Sequence, residues 1–246
     1  MKLLNGATQR ALQFGSIVLA TSALVACGGG TDSGSSPGAT VSGTAAVGAA
    51  MANASIVLTC KNGSGSATAN SSGAYSATFK FDGPCAITAS GGAITIHSFA
   101  VSAGTYNVTP LTELLLSYLA GQLGTTVSGL LSGISSNTAF QSALSNSTVI
   151  ANAEAAVAQL LKTQYGITLS SSSFLTVSFT PGQPGADADL DALQTAGAIT
   201  ANGQPAASLT AAAAAAGAAA PISGGGNGGG TTGGTGGTGG TGTATK

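Results

Sequence analysis

The residues able to do acid–base, nucleophilic or metal chemistry are few: 1 histidine, 3 cysteines and 7 carboxylates in 246 residues. His97 stands in Ile94-Thr95-Ile96-His97-Ser98-Phe99, which reads as a strand. A Ser-His-Asp triad would use it as a base, but a triad also needs an orienting carboxylate and an exposed nucleophile. No serine at a strand-to-helix elbow singles out a nucleophile. The expected role of His97 is therefore that of a hydrogen-bonded histidine on a strand surface. Glu113 and Glu154 are the residue type that cleaves glycosidic bonds in pairs, yet each is expected early in a helix, where the positive helix end explains an acid. Asp187, Asp189 and Asp191 alternate as calcium-loop ligands do. However, the glycine at loop position six and the glutamate at position twelve are here Ala192 and Ala198. They are expected to be the acidic start of a helix rather than a metal site. No enzymatic activity, metal or cofactor is expected.

The elements that position these residues begin with a targeting segment. A basic start (Lys2, Arg10), an apolar run from Ala11 to Ala26 and small residues before Cys27 have the layout of a secretory signal peptide. The run is short and broken by Gly15, Ser16, Thr21 and Ser22, and Ala211 to Ala220 falls well under the roughly 20 apolar residues that span a bilayer. Leu24-Val25-Ala26-Cys27 resembles the lipobox of bacterial lipoproteins. That resemblance implies cleavage before Cys27 and acylation of its thiol and new amino group. Several acyl chains on one residue give the firm anchoring that a single chain does not. Gly28, where an aspartate would retain the protein in the inner membrane, implies by the same resemblance a lipid-anchored outer-membrane location.

Composition narrows the partners. Charged residues are 5% of the chain, against about 25% in typical domains. Beyond the signal, only Lys61, Lys80, Lys162 and Lys246 oppose the 7 carboxylates, so no basic patch exists for nucleic acid. The partners expected are the lipid bilayer through acylated Cys27, and envelope proteins or glycans. Trp is absent and aromatics are 4%, so a flat aromatic sugar platform is thinly supplied. Cys60 and Cys85 lack the His or Cys companions of a zinc site, and an exported protein meets an oxidising compartment, so a disulfide is expected.

Gly28 to Gly38 reads as a flexible tether, so residues 1–26 are the signal and 27–38 the tether. From residue 39 to 105 the period is two. Ala54, Ile56, Leu58 and Cys60 alternate with polar neighbours, as do Tyr75, Ala77, Phe79 and Phe81, then Cys85, Ile87 and Ala89, then Ile94 and Ile96. Asn62-Gly63, Ser72-Gly73, Asp82-Gly83-Pro84 and Gly91-Gly92 supply turns. Short alternating strands at this spacing predict a small antiparallel β-sandwich with both thiols pointing inward. The segments Val41-Ser42-Gly43-Thr44, Ala54-Ser55-Ile56-Val57-Leu58 and Ala67 to Ser76 resemble the carboxypeptidase-regulatory-like, transthyretin-type domain. Asn70 stands where aspartate is commoner. The resemblance implies a non-catalytic scaffold or interaction module.

At Thr109-Pro110 the period changes. Thr109 can cap a helix that begins at Pro110, and Leu111, Leu114, Leu115, Tyr118 and Leu119 form one stripe. Further helices are predicted over Asn137 to Leu144, from a Ser147 cap to a Gly166 stop, over Asp187 to Ala196 and, weakly, over Ala206 to Ala219. Ile167 to Phe179 reads as a strand or an extended crossover. Residues 106–221 are thus mainly helical, and 222–246 a disordered Gly/Thr-rich tail with Thr-Gly-Gly repeats. The chain as a whole is expected to be α+β, a sandwich followed by a helical domain. Its expected role is structural or protein-interaction within the envelope. Glycan or small-ligand binding is the alternative, and a hydrolase using His97 the third reading.

Overall fold

Alternating side chains put the apolar half of each strand on one face, and burying that face sets the register. In the computed structural model, which describes residues 38–222, the strands are β1 (Ala39–Thr44), β2 (Ser55–Thr59), β3 (Ser64–Thr68), β4 (Ala74–Phe79), β5 (Cys85–Gly91), β6 (Ile94–Ala100) and β7 (Gly104–Thr105). The expected signal, Cys27, the tether up to Pro37 and the tail after Ile222 lie outside the described residues. The strands form two sheets, ordered β4-β1-β7 and β3-β2-β5-β6. Ile56, Leu58, Ile87, Ala89 and Ile96 are fully buried, with Ile56 opposite Ala89, Leu58 opposite Ile87 and Ala89 opposite Ile96. A one-residue slip would turn this whole set to solvent, at roughly 1.5–3 kcal/mol for each large side chain exposed. Cys60, just after β2, is bonded to Cys85 at the start of the adjacent β5.

One pairing departs from an all-antiparallel sandwich: β7 runs parallel to β1. The chain continues along β1 beyond β7, with Tyr106 N–H donating to the Ser42 carbonyl (2.7 Å) and Val108 N–H to that of Thr44 (2.9 Å). Gly43 permits this, because a Cβ there would occupy the position of the Tyr106 carbonyl. The Tyr75 hydroxyl donates to that carbonyl at 2.6 Å, and burial pushes the Tyr75 phenol above its ordinary range.

The helices are α1 (Pro110–Gln122), α2 (Val127–Gly133), α3 (Thr138–Leu144), α4 (Ser147–Tyr165), α5 (Ala186–Thr195) and α6 (Ala207–Ala218). Thr109 holds the cap position of α1, but its buried hydroxyl has no partner. Thr112 satisfies the end instead, its Oγ1 accepting from Thr109 N–H at 3.0 Å. Asn146, not Ser147, caps α4, since its carboxamide oxygen reaches the N–H groups of Thr148 and Val149. Gly166 ends α4 with φ 72°. The segment α2 was not foreseen: two glycines in Val127-Ser128-Gly129-Leu130-Leu131-Ser132-Gly133 weaken its helical signal.

A stripe was expected on α1, yet the helix is buried nearly all round, packing on β6, α2, α4 and α6. Sandwich and helices consequently share one continuous core, from Val41 through Leu115 to Leu209. Contact between α1 and α6 needs glycine: a Cβ on Gly121 would strike the Ala214 carbonyl, and one on Gly217 the Tyr118 carbonyl. Residues 167–179 form no strand but an irregular crossover. It is fixed by Asn107, fully buried, whose Nδ2 donates to the carbonyls of Phe174 (3.1 Å) and Val177 (2.7 Å). Among the described residues no single helix is long and apolar enough to cross a membrane.

A candidate polar cleft between sheet and helices

An edge strand leaves a row of backbone groups without partners, and these must be covered or solvated. β6 is the edge of its sheet, and side chains cover it. The Gln204 carboxamide donates to the Thr95 carbonyl at 2.7 Å, and Thr112 Oγ1 to the His97 carbonyl at 2.8 Å. Glu113 Oε1 accepts from His97 N–H at 2.6 Å. The same oxygen lies 2.7 Å from His97 Nδ1. A carboxylate only accepts, so the proton of the neutral ring is assigned to Nδ1, leaving the lone pair on Nε2.

The pair borders a cleft of about 590 Å³. Its floor is the outer face of the four-stranded sheet, with Thr59, Thr88, Thr95 and His97. Its wall is α1 through Glu113 and α2 through Val127, Ser128, Leu131 and Ser132, closed by Ser135 and Gln204. The His97 side chain is 29% exposed and that of Glu113 12%. Nε2 and Glu113 Oε2 have no hydrogen-bond partner among the described residues, and neither is sealed from solvent. Two acceptors therefore stand open in a ring of hydroxyls, each of which both donates and accepts. Among the described residues no lysine, arginine, phenylalanine or tyrosine lines the cleft. An anionic ligand would meet Glu113 without a compensating cation. The chemistry presented fits an uncharged, hydroxyl-bearing ligand.

The other candidates are dispersed. Glu113 does lie in the first turn of α1, but its carboxylate turns to β6 rather than to the helix end. Glu154 lies within α4, not at its start, and accepts from Leu175 N–H at 2.9 Å, so it fixes the crossover. For Glu113 a tertiary donor outcompetes the helix dipole, whereas Glu154 lies two turns into its helix, beyond the reach of that dipole. Burial raises the Glu154 carboxyl above its ordinary range, against the lowering by the Leu175 bond. The two glutamates serve different segments, and of the two only Glu113 lines the cleft.

Asp187 and Asp189 lie in the first turn of α5 and Asp191 in the next. Asp187 accepts from Gly182 N–H (2.6 Å), and Asp189 from the N–H and hydroxyl of Ser170 (2.8 and 2.7 Å). Burial raises the Asp187 carboxyl, the Gly182 bond opposes this, and Asp191 adds to it. Among the described residues no cluster of three or more His, Cys, Asp or Glu is placed to hold a metal. Cys60 and Cys85 are joined, and Cys27 lies outside the described residues.

Strand parity brings Thr88 onto the face of His97, because both are offset by one from the buried Ile87 and Ile96. That relation was available from alternation alone. The approach of Glu113, α2 and Gln204 was not, since nothing local to those segments encodes it. No protein-family profile matches the chain, and no curated protein or solved structure matches it.

Proposed function

We propose that this is a lipid-anchored envelope protein, held to the outer membrane by acylated Cys27, that acts by binding rather than catalysis. The lipobox-like Leu24-Val25-Ala26-Cys27 and Gly28 support the anchor. The resemblance of residues 39–105 to a regulatory-like interaction module supports a structural or interaction role. The observation that carries ligand binding is the cleft, where His97 Nε2 and Glu113 Oε2 stand unpartnered among hydroxyls. A concavity of this size falls within the roughly 300–1,000 Å³ of small-ligand sites, and its convergent polar groups could orient a ligand, although its lining is more polar than the usual apolar one.

A hydrolase using His97 gains one argument, since Glu113 orients the ring as a triad carboxylate does. It lacks the next: among the described residues no hydroxyl is hydrogen-bonded to Nε2. Binding is therefore preferred.

The anchor is tested by Cys27→Ser, which should leave an uncleaved precursor or release the protein from the membrane fraction. Normal processing and fractionation of that variant would refute it. The cleft is tested by titrating the full mature chain in detergent with neutral mono- and oligosaccharides. His97→Ala should weaken whatever binds. Wild-type affinity retained in that variant would count against the site.

A further inference from the structure

The floor of the cleft does not end where the helices end. Strand register extends it as two rows of side chains across the whole outer face of the sheet. One row runs from His97 to Thr88, Val57 and Ser66, which stand opposite one another on β6, β5, β2 and β3. The next runs from Thr95 to Ser90, Ser55 and Thr68 on the same strands. Beyond the helices these residues are exposed, and Val57 is 44% exposed. At about 4.8 Å between strands, each row crosses roughly 14 Å.

Three features of the rows select a ligand. Hydroxyls at fixed spacing on a sheet are preorganised donors and acceptors, matched to a partner that also carries repeated hydroxyls. No side chain in either row carries a formal charge other than His97 when protonated, and the charged side chain that lines the cleft beside them is the Glu113 carboxylate, so acidic polymers are disfavoured there. Val57 gives one apolar step in an otherwise polar row, as the mixed faces of a sugar ring require. Without an aromatic platform each contact is weak, and useful affinity must come from many of them.

We infer that the cleft and the exposed sheet face form one groove for a linear, uncharged polysaccharide. One end of the bound segment lies against His97 and Glu113, and the rest runs over β5 and β2 to β3. This rests on the reading of the cleft as a binding site and adds to it the length, charge class and path of the ligand.

The test is calorimetry on the full mature chain in detergent, using neutral β-1,4-linked glucose and N-acetylglucosamine oligomers from dimer to hexamer, with a sulfated oligosaccharide as the charged comparison. Affinity should rise with chain length for at least one neutral series. The double variant Ser66→Ala/Thr68→Val, far from the helices and exposed, should lower hexamer affinity by about five- to tenfold, the loss expected for two modest hydrogen bonds. It should leave dimer affinity unchanged, whereas Thr88→Val should weaken both. Equal dimer and hexamer affinity with a silent double variant overturns the groove and leaves the cleft reading standing. No saturable binding of any neutral sugar overturns both, and preferential binding of the sulfated oligomer overturns the charge argument.

Discussion

At the scale of single residues, the contact between His97 and Glu113 joins structure to proposed function. Glu113 Oε1 serves the His97 amide and ring together, so it caps an edge strand while fixing a tautomer. The two roles separate on mutation. His97→Ala removes a partly exposed ring and should cost no more than about 1–2 kcal/mol, as ordinary substitutions do. Glu113→Ala leaves the His97 amide without its acceptor in a part-buried setting and should cost about 1–3 kcal/mol. Urea unfolding of the two variants gives the order, and a larger loss for His97→Ala would contradict the edge-capping account. A hydrolytic activity abolished by His97→Ala, with circular dichroism unchanged, would overturn the preference for binding.

Glu154 permits a second test at this scale. Its folded-state carboxyl is raised by burial, so the folded chain holds a proton where the unfolded chain has lost it. Stability then falls as pH rises from the unfolded carboxyl range through the raised value, and is fully present below that range. Glu154→Gln keeps an oxygen for Leu175 N–H and removes the charge, so it should flatten this part of the stability–pH curve. An unchanged slope would show that the carboxylate is not penalised in the fold.

At the scale of elements, α1 and α6 show packing overriding propensity. Alanine is the better helix former, by about 1 kcal/mol over glycine. At Gly217 the sign should reverse, because the added Cβ meets the Tyr118 carbonyl, which is backbone and cannot rotate away. Gly217→Ala should therefore destabilise by about 1–3 kcal/mol, the usual range for overpacking, measured as a lowered melting temperature. A rise would mean the helices separate at little cost. The shortage of bulky side chains in α6 follows from the same geometry: small residues bring the helix axes together, and close approach replaces bulk.

At the scale of the whole molecule, one core joins sandwich and helices, and both half-cystines of the Cys60–Cys85 bridge are buried. The bridge closes a loop of sequence separation 25 and should contribute roughly 3–4 kcal/mol in the chain-entropy model. Because the core is shared, reduction should lower the stability of the helical part along with that of the strands. A single cooperative transition, shifted equally by far-ultraviolet and tyrosine signals, is the expected result. Separate transitions for strands and helices would show that the two parts fold independently despite their contacts. Non-reducing peptide mapping should return the linked pair, and two thiols freely alkylated without reduction would exclude the bridge.

What the sequence determined by itself is what local periodicity encodes. Inward Ile56 and Leu58, the start of α1 at Pro110 and the stop of α4 at Gly166 were legible, because alternation, caps and left-handed glycines act within a few residues. The inward parity of Cys60 and Cys85 was legible for the same reason. Tertiary structure alone decided which sides of α1 are covered, that Asn107 holds the crossover, and that Gln204 reaches Thr95. It also decided that Glu113 turns away from its helix end toward His97. These contacts join segments far apart in the chain. Their energies depend on register and on the approach of packed elements, which no short window of residues specifies.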